Sequence, residues 1–180
     1  MALAARLKPG ETLGDRIMKV DHAGEHGAIC IYRAQIAIAR WRAPEIVSEL
    51  EDFLAHERRH RSRFGAELQR RGARRCRSYA WCGLGGFVLG AATGVAGRQA
   101  IAATTVAIER VVLRHMREQV EALGSGDPEA VAALNDVIAD EQSHHDLSTA
   151  RLRARGRWPK LINPIVAAST ETVIWLGMRL

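Results

Sequence analysis

The chain has 180 residues, a length that fits one domain over residues 1–180 and leaves no room for a second. Its three cysteines, Cys30, Cys76 and Cys82, include no C-x-x-C pair, which argues against a zinc knuckle or a disulfide framework and fits a reducing compartment. The charge of +6 and the pI near 9.9 leave two kinds of anionic partner to weigh, nucleic acid and a membrane surface.

Apolar periodicity predicts an all-α chain, beginning with two long helices. We predict the first over Leu13–Arg42, ending before Pro44, because proline disfavours helical geometry in the residue before it. Pro44 suits the first turn of the second helix, which we expect to end near Arg71 with Gly72 as its cap.

The third predicted helix, Ser78–Gly97, has no charged residue but contains six glycines, which makes it a weak candidate for a membrane span. Nine arginines from Arg58 to Arg77 lead into it. We therefore expect it to lie in the membrane interface; a buried, close-packed helix and a true span stay open as alternatives. No recognisable nucleic-acid module accompanies the arginines, so we predict no nucleic-acid partner.

Turn signals divide the remaining chain into three helices. The fourth is predicted over Gln99–Leu123, and the fifth from Asp127, as its cap, to near Gly156. Two prolines then bracket a predicted short connection to an apolar sixth helix, Ile165–Leu180. These two prolines are Pro159 and Pro164.

The most informative pattern is an internal repeat of potential metal ligands. A shift of 84 residues carries Glu25, Glu57 and His60 onto Glu109, Glu141 and His144. Each half reads as a lone Glu followed by Glu-x-x-His, the ligand pattern of ferritin-like four-helix bundles that bind two irons or two manganese ions. Glu and His three residues apart share one helix face, and mixed oxygen and nitrogen ligands suit either metal. A duplicated helix pair is therefore predicted.

A rival motif overlaps the first half of this repeat. Residues His56 to His60 match H-E-x-x-H, in which both histidines would bind zinc and Glu57 would be the base of a protease. The second half has Asp140 where His56 stands, so only Glu-x-x-His is repeated. We therefore place His56 at the periphery of the site or on the surface. Separately, we consider Asp21 and His115 as residues that could support the ligands by hydrogen bonds.

Five motifs together resemble those of the demethoxyubiquinone hydroxylases, ferritin-like di-iron enzymes of ubiquinone biosynthesis. The resemblance covers nearly the whole chain. The motifs are Val20–Asp21–His22–Ala23–Gly24–Glu25 with the Gly27–Ala28 and Ile31–Tyr32 pairs, Glu57-x-x-His60, Gly86–Phe87-x-Leu89–Gly90–Ala91, Thr105–Val106–Ala107-x-Glu109, and Asp140–Glu141-x-x-His144–His145–Asp146.

The resemblance implies a monooxygenase that uses dioxygen to hydroxylate the ring of a demethoxyubiquinol-type polyprenyl quinol. It implies two irons per chain, bridged by Glu57 and Glu141, with electrons from NADH or from the quinol itself. It also implies peripheral attachment to the cytoplasmic face of a bacterial inner membrane, or to the matrix side of the mitochondrial one. A lipid-binding accessory protein and a homo-oligomer are further implied partners.

The chain departs from the family's pattern at two places. Met116 follows His115 where the family often has Tyr, and Gly177–Met178–Arg179 stands where Ser-Glu-Arg is usual. Two other functions stay open: a ferritin-like protein that oxidises or stores iron without an organic substrate, and a purely structural protein at the membrane surface. The apolar third and sixth helices argue against the first, and the duplicated ligands against the second.

Overall fold

A computed structural model describes residues 5–153 and 158–180, and within them the chain is helical with no strand, as predicted. Six α-helices follow one another: α1 Leu13–Arg42, α2 Val47–Arg70, α3 Tyr79–Ala96, α4 Arg98–Leu123, α5 Pro128–Arg151 and α6 Trp158–Gly177. Short 3₁₀ turns, Pro44–Ile46 and Gly124–Gly126, precede α2 and α5. The all-α prediction is confirmed.

Local sequence signals fix several of the helix ends. Thr12 and Asp15 form a reciprocal capping box at the start of α1, each side chain accepting from the other residue's backbone N–H. Gly72 follows α2 with φ +61°, the left-handed conformation that glycine adopts without steric cost. Asp127 accepts from the Ala130 N–H and caps α5 as predicted.

Two predicted boundaries near the C-terminus are wrong. Helix α5 ends at Arg151 because Leu152 is extended, with ψ 137°; Gly156, its predicted end, lies outside the described residues. Pro159 and Pro164 lie within α6 and do not bracket a connection. Pro159 falls in the first turn, where backbone N–H groups have no helical acceptor, and Pro164 removes a single donor from a helix that packs along α4.

Helices α1, α2, α4 and α5 form a four-helix bundle, α3 packs against α1, and α6 packs against α4. A shift of 84 carries residues 79–96 onto 163–180, which overlap α6. The additional apolar helices α3 and α6 therefore occupy matching places beside the two halves of the bundle. Two apolar clusters fill the bundle, one around Phe64 and Leu134 and the other around Phe53 and Ile36.

The glycines of α3 serve a close helix contact. A Cβ on Gly86 would lie 2.2 Å from the Gly27 carbonyl oxygen, and one on Gly90 would lie 2.4 Å from the Ile31 oxygen. The opposite face of α3 exposes large apolar side chains, including Trp81 and Phe87. Within the described part of the chain, α3 is the one helix long and apolar enough to cross a membrane, with 33% of that stretch buried. The close packing and the exposed apolar face thus coexist, and insertion into the interface stays a prediction.

Candidate metal centre

The bundle brings the six repeated residues together between the two apolar clusters. All six are buried, and they form two groups in which one ligand atom per residue lies within 4.8 Å of the others. The groups are Glu25, Glu57, His60, Glu141 and Glu57, Glu109, Glu141, His144. Glu57 and Glu141 belong to both groups, which is the placement that bridging carboxylates require. Their role as metal ligands remains a prediction.

Both histidines direct Nδ1 into the carboxylates. His60 Nδ1 lies 3.1 Å from Glu141 Oε1 and 3.6 Å from Glu25 Oε2. His144 Nδ1 lies 3.3 Å from Glu141 Oε2 and 3.4 Å from Glu57 Oε1. The bundle therefore surrounds Glu141 with both imidazoles, although its helix supplies only one of them.

Several of these buried atoms make no hydrogen bond of good geometry: Glu25 Oε2, Glu57 Oε1, Glu141 Oε2, His60 Nδ1 and His144 Nδ1. Buried polar atoms are normally hydrogen-bonded, so an unpaired set converging on one point is unusual. Carboxylate oxygens and imidazole nitrogens are ligands of iron and manganese. The donor set therefore fits two divalent cations.

Crowding of these groups shifts their pKa values. Burial, together with the charge of Glu141, raises the pKa of Glu57 and Glu109 well above the usual value. Burial would also favour neutral Glu141, but its contacts with His144 and His60 lower its pKa. Burial disfavours the charged histidines, yet contact with Glu141 raises the pKa of each to about 9. Protons thus stabilise the cluster, and binding of divalent cations would displace them.

In each histidine, Nε2 points away from the carboxylates and contacts a residue from the other half of the repeat. His60 Nε2 lies 3.0 Å from Asp140 Oδ2, and His144 Nε2 lies 3.0 Å from His56 Nδ1. This arrangement agrees with placing His56 at the periphery of the site, and His56 belongs to neither group of candidate ligands. Sequence reasoning missed the contact, although the same shift of 84 relates His56 to Asp140.

The two residues predicted to support the ligands lie elsewhere around the centre. Asp21 accepts a hydrogen bond from Gln119 Nε2 at 3.1 Å, and His115 Nε2 lies 2.8 Å from Glu171 Oε2. The outward nitrogens of His60 and His144 contact Asp140 and His56, so Asp21 is not the partner of either imidazole. A supporting role for Asp21 and His115 stays a prediction. Burial raises the pKa of Asp21 to about 7.

A cavity of about 610 Å³ connects this centre to the surface between α3 and α6. Four of the clustered glutamates, Glu25, Glu57, Glu109 and Glu141, line it, as do Asp21 and His115. The rest of its wall is mostly apolar and includes Trp81 and Val88 of α3 and Val173 of α6. An apolar molecule of moderate size can therefore reach the carboxylates from the side of the exposed apolar helices.

Comparison with known proteins identifies the family of this chain. The family model for "Ubiquinone biosynthesis protein COQ7" matches residues 12–177. The chain belongs to this family. A Rhodospirillum rubrum protein named 3-demethoxyubiquinol 3-hydroxylase is 31% identical over 165 residues, covering 92% of this chain and 77% of the relative. A human protein named mitochondrial NADPH-dependent 3-demethoxyubiquinone 3-hydroxylase is 30% identical over 171 residues, with the same coverage of each chain.

The two departures from the family's pattern occupy well-packed positions. Met116 is buried in the cluster around Phe64 and also lines the cavity. A Cβ on Gly177 would lie 3.1 Å from Val20 Cγ2, and the Gly177 carbonyl accepts from buried Arg16. Met178 belongs to the same cluster as Met116. Both departures therefore add to the packing of α6 and α4 against the start of α1.

Proposed function

We propose that this chain hydroxylates the ring of a demethoxyubiquinol-type polyprenyl quinol, and that the six clustered residues hold two irons, with Glu57 and Glu141 between them. The observation that carries the proposal is the cavity, whose apolar wall ends on four of the clustered carboxylates. The names of the COQ7 relatives supply the substrate class. We further propose that residues 1–180 act as one catalytic domain.

Iron held here would supply the activation of dioxygen, with one oxygen atom added to the ring and the other leaving as water. The protein's own contribution is positional. Buried carboxylates hold the cations, the apolar wall excludes water from the ring, and Asp21 Oδ2, buried without a hydrogen bond, is placed to accept one from a quinol hydroxyl. The mitochondrial relatives are named NADPH-dependent, so we propose a reduced nicotinamide as the source of the two electrons.

We also propose that the protein lies on a membrane surface, with the apolar faces of α3 and α6 in the lipid. Both helices line the mouth of the cavity and expose large apolar side chains, among them Leu84 and Phe87 on α3 and Ile165 and Trp175 on α6. A polyprenyl quinol dissolved in lipid could then enter without crossing water. The face of the membrane, an accessory lipid-binding protein and a homo-oligomer stay as predictions.

Blocking the cavity tests the function directly. Ala92 lies on α3 and lines the cavity, whereas Ala80 is exposed on the same helix and does not. With reductant and a short-chain demethoxyquinol, Ala92→Trp is expected to lower kcat/KM at least tenfold while iron content stays unchanged; Ala80→Trp should behave as the parent protein. Oxidation of Fe(II) with no quinol turnover by the parent protein would instead support the ferritin-like alternative.

A further inference from the structure

The two candidate metal positions have the same inner ligands but different outer ones. Each position has three glutamates and one histidine, and two of the glutamates are common to both. The histidines differ in what holds the nitrogen that faces away from the centre. A carboxylate, Asp140, lies against His60, and a second imidazole, His56, lies against His144.

This difference decides how strongly each histidine can donate to a cation. An imidazole that offers its Nδ1 lone pair carries its proton on Nε2, so His60 donates to the Asp140 carboxylate and His144 donates to the neutral Nδ1 of His56. Hydrogen bonds to a carboxylate are stronger than those to a neutral acceptor and draw the proton further from the ring. The His60 Nδ1 is therefore the better electron donor.

We propose that Asp140 and His56 are positioning residues that make the two metal positions unequal, with the cation beside His60 held more tightly than the cation beside His144. The inference rests on the proposed two-metal centre. Arg59 Nη2 also donates to Asp140 Oδ2, at 3.0 Å, which fixes the carboxylate in place. His56 Nδ1 is 3.8 Å from Asp140 Oδ1, too far for a hydrogen bond that would equalise the two outer contacts.

A second difference between the two metal positions could also make their affinities unequal. The Phe53 ring lies on His144, with 4.3 Å between ring centroids, and could weaken that position by excluding solvent. Exchanging the two outer residues in the double variant His56→Asp/Asp140→His leaves Phe53 in place and keeps the same groups and total charge. If the outer residues control affinity, the exchange moves the tighter position to His144; if Phe53 does, it changes nothing.

Anaerobic titration calorimetry with Fe(II) provides the test. The parent protein should bind two ions in steps that differ roughly 10- to 100-fold in affinity, the usual effect of an outer partner on a metal site. The His144→Ala variant should retain only the tighter Fe(II)-binding step, and the His60→Ala variant should retain only the weaker one. In the exchanged background, His60→Ala should instead keep the tighter step.

A single substitution covers the case in which the exchanged protein does not fold. Asp140→Asn should weaken the tighter step by roughly 10- to 100-fold and leave the other within about twofold. The matched control is Asp136→Asn, on the same helix as Asp140. It removes an exposed carboxylate that pairs with Arg63 of α2, and it should change neither step. Equal affinities in the parent protein, or an unchanged order after the exchange, would overturn the inference while leaving the proposed function intact. Failure of the parent protein to bind Fe(II) would contradict the proposed function itself.

Discussion

The α-carbon of Gly86 rests against the backbone of Gly27, so that a methyl group on Gly86 would stand 2.2 Å from the Gly27 carbonyl oxygen. Because the contact is with backbone, no rotamer change can relieve the overlap, and α3 would have to move away from α1. Gly86→Ala should lower the free energy of unfolding by roughly 1–3 kcal/mol or more, measured by urea denaturation.

The neighbouring Gly85 is a matched control. It lies on the same helix, and a Cβ built there would meet no atom within 4 Å. Gly85→Ala should be neutral or stabilise the protein by up to about 1 kcal/mol, since alanine has the better helix propensity. Equal destabilisation by both substitutions would show that the α1–α3 contact at Gly86 is not the cause of the loss.

Iron content should depend on Glu109, the candidate ligand on α4, and not on other acidic residues of that helix. Glu109 is buried in the second ligand group, whereas Glu118 lies on the same helix, partly exposed beside Arg114. Anaerobically reconstituted parent protein should hold about two irons per chain, as such bundles do. Glu109→Gln should reduce iron to about one per chain by elemental analysis, and Glu118→Gln should not. Full occupancy in folded Glu109→Gln protein would remove Glu109 from the site.

Membrane attachment should depend on the exposed face of α3. Replacing Leu84, Phe87 and Val95 with Ser removes apolar side chains that are each more than half exposed. The variant should lose flotation with anionic vesicles, because burial of these side chains in lipid supplies the affinity. Leu147→Ser is the control, since Leu147 is 47% exposed on α5, which packs against α2 and α4. Unchanged flotation of the triple variant would contradict interfacial insertion by α3.

Stability at mildly acid pH should reflect His22. Burial, with the nearby charges of Arg61 and Arg75, lowers the pKa of His22 from 6.5 to about 4. The unfolded chain therefore takes up a proton below pH 6.5 that the folded chain does not accept until about pH 4, and stability falls as the pH drops through this range. His22→Gln should remove roughly 1–2 kcal/mol of the loss between pH 7 and 5. The control His145→Gln should lose as much stability between pH 7 and 5 as the parent protein. If His22→Gln also loses as much, His22 is not the cause of the pH dependence.

The sequence predicted the clustering of the six candidate ligands well, because a repeat of three spacings constrains which helix faces meet in a bundle. It predicted both ends of α1 correctly, with Pro44 as the signal for the end of the helix; the cap formed by Thr12 was seen only in the structure. The contact between Asp140 and His60 was harder to foresee. It spans two helices that are far apart in sequence, and only the packing of α2 against α5 sets their distance.

The start of α6 and the purpose of the glycines in α3 also depended on tertiary contacts. Proline rules describe an isolated helix, whereas α6 lies along α4 and keeps its helical path through Pro164. The glycines indicated a weak candidate for a membrane span, and only the position of α1 shows that Gly86 and Gly90 permit close backbone contact. In both cases a neighbouring helix overrides the local preference.

The source of the oxygen atom added to the ring distinguishes a monooxygenase from an enzyme that uses water. Purified, iron-loaded protein is supplied with reductant, a short-chain demethoxyquinol and oxygen-18 gas, and the product is analysed by mass spectrometry. We expect one labelled oxygen on the ring. His144→Ala should abolish turnover and leave vesicle binding unchanged, since His144 is fully buried in the ligand cluster. An added oxygen that comes from water, or full turnover by His144→Ala, would exclude a monooxygenase reaction at this centre.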